Sequence, residues 1–204
     1  MAHVPSPKKT REEILLVSGP LFSRHGYDGV SMRDVATAVG LTQAALYYHF
    51  SDKDQLYLDA VTYEFRERGR VLKSFLASDG TIWERLERYV GGLARMVATD
   101  KAFLRLMQWV LLDTDETRQS ILASSAFTDM FVAVHDLARQ LAPHRDAHLL
   151  TMSILGLVIF HFQTGATRRF MPGYRPELEN YEVVARHVCE LLRRSLGDAP
   201  APSN

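Results

Sequence analysis

The chain has 204 residues, 47% of them apolar and 24% charged, which fits one globular domain or a small module joined to a larger one and excludes a disordered polymer. Its 24 Lys and Arg cancel its 24 Asp and Glu. That balance excludes binding to nucleic acid or anionic membrane through bulk charge, but leaves room for a small basic face.

Spacings of three and four recur along the chain and no strand or hairpin signal is present, so the expected class is all-α. Residues 1–9 read as a flexible basic arm, in which Lys8 and Lys9 continue into Arg11 without an acid. Thr10 with Glu13 three positions on reads as a capping box, followed by Ile14, Val17, Leu21 and Phe22 on one helix face. His25 and Gly26 end this helix. Within it stands Gly19-Pro20, where proline costs about 3 kcal/mol, removes an amide and crowds the carbonyl of Leu16. A kink or bulge is expected there.

Ser31 with Asp34 starts a second, short helix that stops at Gly40. Thr42 starts a third, to about Phe50, and Ser51 with Asp54 a fourth, to about Ala77. Later starts are expected at Asp79, Asp100, Asp115 and Asp146, and the last helix near Pro176 with Glu177 and Glu179 in its first turn. Residues 197–204, GDAPAPSN, read as a disordered tail. The expected organisation is a three-helix module over 10–52 and a larger helical domain over 53–196.

The stretch Arg33–His49 has the logic of a helix-turn-helix. Small Ala36 lets two helices cross, Gly40 supplies the turn, and Val35, Val39, Leu41 and Leu46 form the apolar knot. The third helix then presents Thr42, Gln43, Ala44, Tyr47, Tyr48 and His49 outward, a face suited to a major groove. Gln43 can offer donor and acceptor together to adenine, while Ala44 and the Thr42 methyl can touch thymine methyls. Tyr47, Tyr48 and His49 can donate to phosphates, and the helix starts at Ser31 and Thr42 offer amides beside hydroxyls. Arg33 can reach the groove edge and guanine, and Lys53 can close the contact on phosphate.

The segment Gly26-Tyr27-Asp28-Gly29-Val30-Ser31-Met32-Arg33-Asp34-Val35-Ala36, then Gly40-Leu41-Thr42 and Ala45-Leu46-Tyr47-Tyr48-His49-Phe50-Ser51-Asp52-Lys53, resembles the TetR family of bacterial repressors. The resemblance covers residues 10–57. It implies that Arg33, Gln43 and Tyr47 meet bases or their surroundings, and that Ser31, Tyr48, His49 and Lys53 meet the backbone. Gly19-Pro20 departs from the family's helix-favouring residues at that point.

One copy of such a module makes few contacts, so a dimer on two half-sites of a palindromic operator is expected. The expected interface is a four-helix bundle from helices near 146–170 and 177–196, through Leu150, Ile154, Leu157, Val158, Val184, Val188, Leu191 and Leu192. Residues Ala147–Thr167 hold no Asp, Glu, Lys or Arg, a length that meets the bilayer test. His148, Thr151, Ser153, His161, Gln163 and Thr164 argue instead for a helix buried on two sides.

The middle of the chain is rich in large side chains, most of them core. The family resemblance implies an inducer pocket here, with Trp83, Phe103, Met107, Trp109, Phe131, His135 and His161 as candidates. A ligand there would shift the separation of two DNA-binding heads through residues 53–76.

His144 and His148 share the i, i+4 spacing of a chelate, but His144 follows Pro143 and no third ligand stands nearby, so an exposed helix start is expected rather than a metal site. The single cysteine, Cys189, leaves no disulfide framework or multi-thiolate zinc site and reads as a small buried apolar residue. It fits a reducing cytosol. The opening residues hold no apolar signal core.

Nothing nominates a catalytic site or a cofactor: no G-x-S-x-G, P-loop, G-x-G-x-x-G after a strand, or H-E-x-x-H occurs. The expected protein is a cytoplasmic homodimeric transcription regulator, a repressor released by a small-molecule effector. The competing reading is a helical dimeric small-molecule binding protein or an enzyme that does not bind DNA.

Overall fold

The computed structural model describes residues 9–197, and among these there is no strand. Eleven α-helices follow one another: α1 (Arg11–His25), α2 (Met32–Val39), α3 (Gln43–His49), α4 (Lys53–Leu76), α5 (Ile82–Thr99), α6 (Lys101–Leu112), α7 (Glu116–Leu122), α8 (Thr128–Leu141), α9 (Ala147–Gln163), α10 (Gly165–Arg168) and α11 (Tyr181–Leu196). A π-turn over Ala123–Phe127 joins α7 to α8, and a 3₁₀ turn over Pro176–Glu179 precedes α11. The expected arm and tail fall outside the described residues, apart from Lys9 and Gly197.

Helix starts follow the capping chemistry. Thr10 with Glu13, Ser31 with Asp34, and Thr81 with Glu84 form reciprocal capping boxes, satisfying two orphan amides each. Asp100, Asp115 and Asp146 each accept from the amide three residues on. Three expected starts shift. At α4 the amide of Gln55 donates to Asp52 (2.8 Å), so Asp52 rather than Ser51 is the cap. Helix α5 begins at Thr81 rather than Asp79. Pro176 opens only the 3₁₀ turn, and Asn180 caps the long last helix.

Pro20 does not interrupt α1, which runs from Arg11 to His25. The carbonyl it deprives of a partner belongs to Leu16, a residue half exposed, where water can replace the lost amide. Gly40 ends α2 at φ 79°, ψ 32°, the left-handed cap that glycine adopts without a Cβ penalty, and the amide of Leu41 closes the turn on Ala36 (2.8 Å).

The chain divides into two compact units. The first holds residues 9–66 and Arg105–Ala126. Its core is Ile14, Phe22, Val35, Leu46, Phe50, Leu56, Tyr57, Ala60 and Val61, joined by Leu106 and Leu122. Tyr57 meets Phe22 and Tyr27 edge-on at 5.0 and 5.1 Å. Segment 105–126 is therefore part of the head's own packing, which the expected boundary at residue 52 left out.

The second unit holds Glu67–Leu104 and residues 127–197. Helix α5 is its hub, packed on α8, α9 and α11. It buries Trp83, Leu86, Tyr89, Val90, Leu93, Ala94 and Val97, the three-and-four spacing of one helix face. Against it lie Val134, Leu137, Ala138 and Leu141 of α8, Leu150, Thr151, Ile154, Val158 and Phe162 of α9, and Val184, Ala185, Val188 and Leu192 of α11. Arg193 of α11 pairs with Glu87 (2.6 Å) and lies over the Trp83 ring.

Six of the eight residues expected to form a dimer interface belong to this core. Leu150, Ile154, Val158, Val184, Val188 and Leu192 are buried by the chain's own helices. Helix α9 is apolar on nearly all sides, so its period does not say which apolar side serves the protomer. Burial does: Leu149, Met152 and Phe160 remain 65, 51 and 65% exposed, and Leu191 on α11 is 42% exposed. Leu149, Leu157 and Leu191 line a groove of about 550 Å³ between α9 and α11, with Arg145, Asp146, Ser153 and Ser195 at its edges.

Helix α9, 17 residues long, is shorter than the roughly 20 residues a bilayer span takes, and its inward face is filled by the core described above. The helical run Glu116–Leu141 meets that test by length and composition.

Candidate nucleic-acid interface

In the first unit, α2 and α3 form the turn about Gly40, and Leu46 anchors α3 to the core with no exposed surface. That leaves the opposite side of α3 in solvent. Thr42, Gln43 and Ala44 are exposed there, Tyr47 is 51% and Tyr48 87% exposed, and His49 is half-buried. The two exposed tyrosines share one turn of this short helix. Arg33 is exposed on α2 and Lys53 half-buried at the start of α4. The nine expected DNA-contacting residues thus lie on two adjacent short helices and the beginning of α4.

The caps decide which donors remain free. Thr42 Oγ1 accepts from the amide of Ala45 (3.2 Å), which leaves its own proton available. Ser31 differs: its hydroxyl and its amide both donate to the Asp34 carboxylate, at 2.6 and 2.9 Å. These bonds from Ser31 hold the Asp34 carboxyl below its ordinary range. The Ser31 hydroxyl proton and amide are thus spent on Asp34.

Lys9 and Arg11 near the start of the chain are not spare. Arg11 pairs with Asp59 and donates to the carbonyl of His49, with its guanidinium 4.2 Å from the Phe50 ring centroid. It staples the end of α3 to α1 and α4. Lys9 pairs with Glu13 (3.6 Å). Of the expected arm's cations, then, Arg11 is structural and Lys8 lies outside the described residues.

Lys53 has another kind of partner. Its ammonium lies 4.1 Å from the centroid of the Tyr27 ring, and among the described residues no carboxylate pairs with it. On the same ring, at 4.2 Å, lies the guanidinium of Arg118 from α7. Arg118 donates twice to Asp113, from Nε to Oδ2 (2.8 Å) and from Nη2 to Oδ1 (2.9 Å), and once to Asp54 (3.3 Å). These bonds, foremost those to Asp113, raise the Arg118 pKa, and Arg118 in turn depresses that of Asp113. Burial, then hydrogen bonding to Asp54, pushes the Tyr27 hydroxyl up to about 12. Sequence reading missed Tyr27, Asp113 and Arg118, because no local pattern links residue 27 to residue 118.

The seven expected effector residues are divided between the units. Met107 and Trp109 lie in the first, where the Trp109 indole donates to the carbonyl of Ser23 (3.2 Å) and its ring covers Gly26. Trp83, Phe103, Phe131, His135 and His161 lie in the second. There Phe131 stacks on His135 at 6.0 Å and meets His148 at 5.2 Å, while Arg68 covers Phe103 at 4.6 Å. The described residues hold no cluster of three metal-ligating side chains, His144 and His148 included.

A small three-helix head whose second and third helices flank a tight turn, with exposed polar and aromatic residues on the third, has the architecture of a helix-turn-helix domain. Residues 14–60 match the family model described as bacterial regulatory proteins, tetR family. Over these residues the chain is similar to that family. A relative is the HTH-type transcriptional repressor AcnR of Corynebacterium efficiens, 38% identical over 52 residues, which are 26% of this chain and 28% of AcnR. The chain thus matches little more than a quarter of that relative's length.

Solved structures extend the likeness of fold to about nine-tenths of the chain. FadR from Bacillus subtilis in complex with stearoyl-CoA has a TM-score of 0.75 at 14% identity, covering 90% of this chain and 97% of that one. AibR in complex with isovaleryl coenzyme A and operator DNA has a TM-score of 0.67 at 22% identity, covering 89 and 96%.

Proposed function

We propose that the protein is a cytoplasmic homodimeric transcriptional repressor whose head binds a palindromic operator and whose affinity is lowered by a small-molecule effector. The observation that carries the DNA-binding part is the α3 face: Gln43, Ala44, Tyr47 and Tyr48 are exposed on a helix held rigidly from behind by Leu46 and the Arg11 staple. Gln43 and Arg33 read bases, Tyr47 bases or their surroundings, and Thr42, Tyr48, His49 and Lys53 hold the backbone. The relative AcnR is a repressor, and the structural neighbour AibR was crystallised on operator DNA; both support this reading.

Dimerisation runs through the free side of α9 and α11. Leu149, Met152 and Phe160 form an apolar stripe along α9, interrupted by small Ser153 and Gly156, and Leu191 continues it on α11. A two-fold axis across this stripe buries it against itself. The effector binds in the helical domain. The acyl-CoA ligands of FadR and AibR support a small-molecule ligand as its class.

Replacing both Tyr47 and Lys53 by Ala tests the DNA face. The double variant stays folded, because neither residue belongs to the core, and loses specific binding to a duplex that the wild-type protein selects from a randomised library. Wild-type affinity in this variant refutes the assigned face.

A further inference from the structure

The DNA-contacting lysine of the head is held by residues that no DNA contact accounts for. Lys53 is anchored by an aromatic ring rather than a carboxylate. A cation on a ring face keeps its charge unneutralised and thus available to a phosphate, whereas one paired with an acid does not. The ring, Tyr27, lies in the turn after α1, and a turn side chain with one polar end needs to be held.

Two contacts hold it. Tyr57 packs edge-on against the ring at 5.1 Å, and the Arg118 guanidinium lies 4.2 Å from its centroid. Arg118 in turn is immobilised by its two hydrogen bonds to Asp113, whose side chain is only 9% exposed, and a third hydrogen bond engages Asp54. Its amide is fixed by Asp115, the cap of α7. All of these residues belong to the first compact unit.

We infer that Arg118, clamped by Asp113, and Tyr27 are positioning residues for Lys53, so that α7 sets where the lysine meets an operator phosphate. The inference rests on the reading of Lys53 as a phosphate contact. Its consequence is that α7 carries control over DNA affinity without touching DNA. A shift of α7 that withdraws Arg118 frees the Tyr27 ring, and Lys53 then samples many rotamers before it reaches a phosphate.

The test is a double-mutant cycle on the duplex selected by the wild-type protein, with dissociation constants measured across a range of salt concentrations. Lys53→Ala removes one phosphate contact from each of the two heads, so affinity falls and the slope of log K against log salt drops by about 1.8. Arg118→Ala should weaken binding several-fold and flatten the slope in the same direction, yet add nothing in the Lys53→Ala background. Tyr27→Phe, which keeps the ring, should bind like wild type, and Tyr27→Leu like Arg118→Ala.

Additive losses from Arg118→Ala and Lys53→Ala, or an unchanged salt slope in Arg118→Ala, overturn the inference. If Arg118→Ala proves unfolded by circular dichroism, Tyr27→Leu alone decides, since it leaves the Asp113–Arg118 pair in place. A wild-type protein that selects no duplex refutes the DNA-binding reading and the inference with it, whereas failure of the cycle alone leaves that reading standing.

Discussion

Phe160→Ala separates the protomer's core from its association face. Phe160 is 65% exposed on α9, one turn from Gly156 and two from Met152. A phenylalanine buries about 150–250 Å² when fully covered, so about 100–160 Å² of this one awaits a partner. At about 25 cal/mol per Å² that is about 2.5–4 kcal/mol per protomer, and a two-fold axis counts it twice. Area converts incompletely into affinity and alanine keeps part of the surface, so we expect the dimer constant to weaken at least about 100-fold. Sedimentation velocity over a dilution series reads this directly.

The thermal unfolding of the dissociated variant should keep its helical signal, because Phe160 contributes little to the protomer's own packing. Ile154→Ala, one and a half turns away with no exposed surface, should do the reverse. It costs about 2–5 kcal/mol of stability through the cavity it opens. An unchanged dimer constant in Phe160→Ala, or dissociation without destabilisation in Ile154→Ala, refutes the assignment of the two faces of α9.

Three further outcomes are expected. Gly40→Ala forces a Cβ into the left-handed turn at φ 79° and should cost about 1 kcal/mol, read as a lower denaturation midpoint of the head. Tyr48→Ala, at a residue 87% exposed, should leave stability within about 0.5 kcal/mol while operator affinity falls several-fold in a fluorescence-anisotropy titration. The His161 ring, facing Arg168 and His187, has its pKa depressed below the usual 6.5, first by burial and then by the charge of Arg168 and the neighbouring His187. The folded state therefore favours the neutral ring, so the stability this provides is complete above about pH 6.5 and is lost as pH falls below it. His161→Gln should flatten the melting temperature between pH 7.5 and 5.5, and an unaltered pH dependence contradicts this.

Much of the head was legible in the residues alone because its signals are local. A capping box needs only residues three apart, a left-handed turn only its glycine, and a recognition helix only its own seven residues. Thr10, Ser31, Gly40 and Thr42 therefore stand where the spacing placed them, and Gln43, Ala44, Tyr47 and Tyr48 share the exposed face. The likeness of Gly26–Lys53 to a known family rests on the same local residues.

Other features depend on which distant surfaces meet. The side of α9 that faces its own protomer is set by α5, α8 and α11, and a helix apolar all round carries no periodic record of that choice. Leu150, Ile154 and Val158 accordingly went inward, while Leu149, Met152 and Phe160 were left out. The role of Arg11 turned on Asp59 and the end of α3, which spacing cannot bring together. The pairing of Lys53 with Tyr27 and Arg118 joins residues 91 positions apart, through a ring face and a carboxylate fork whose value depends on tenths of an ångström. Composition shows a neutral chain. Packing shows which of its cations are spent on carboxylates within the fold and that Lys53 is held by a ring face instead.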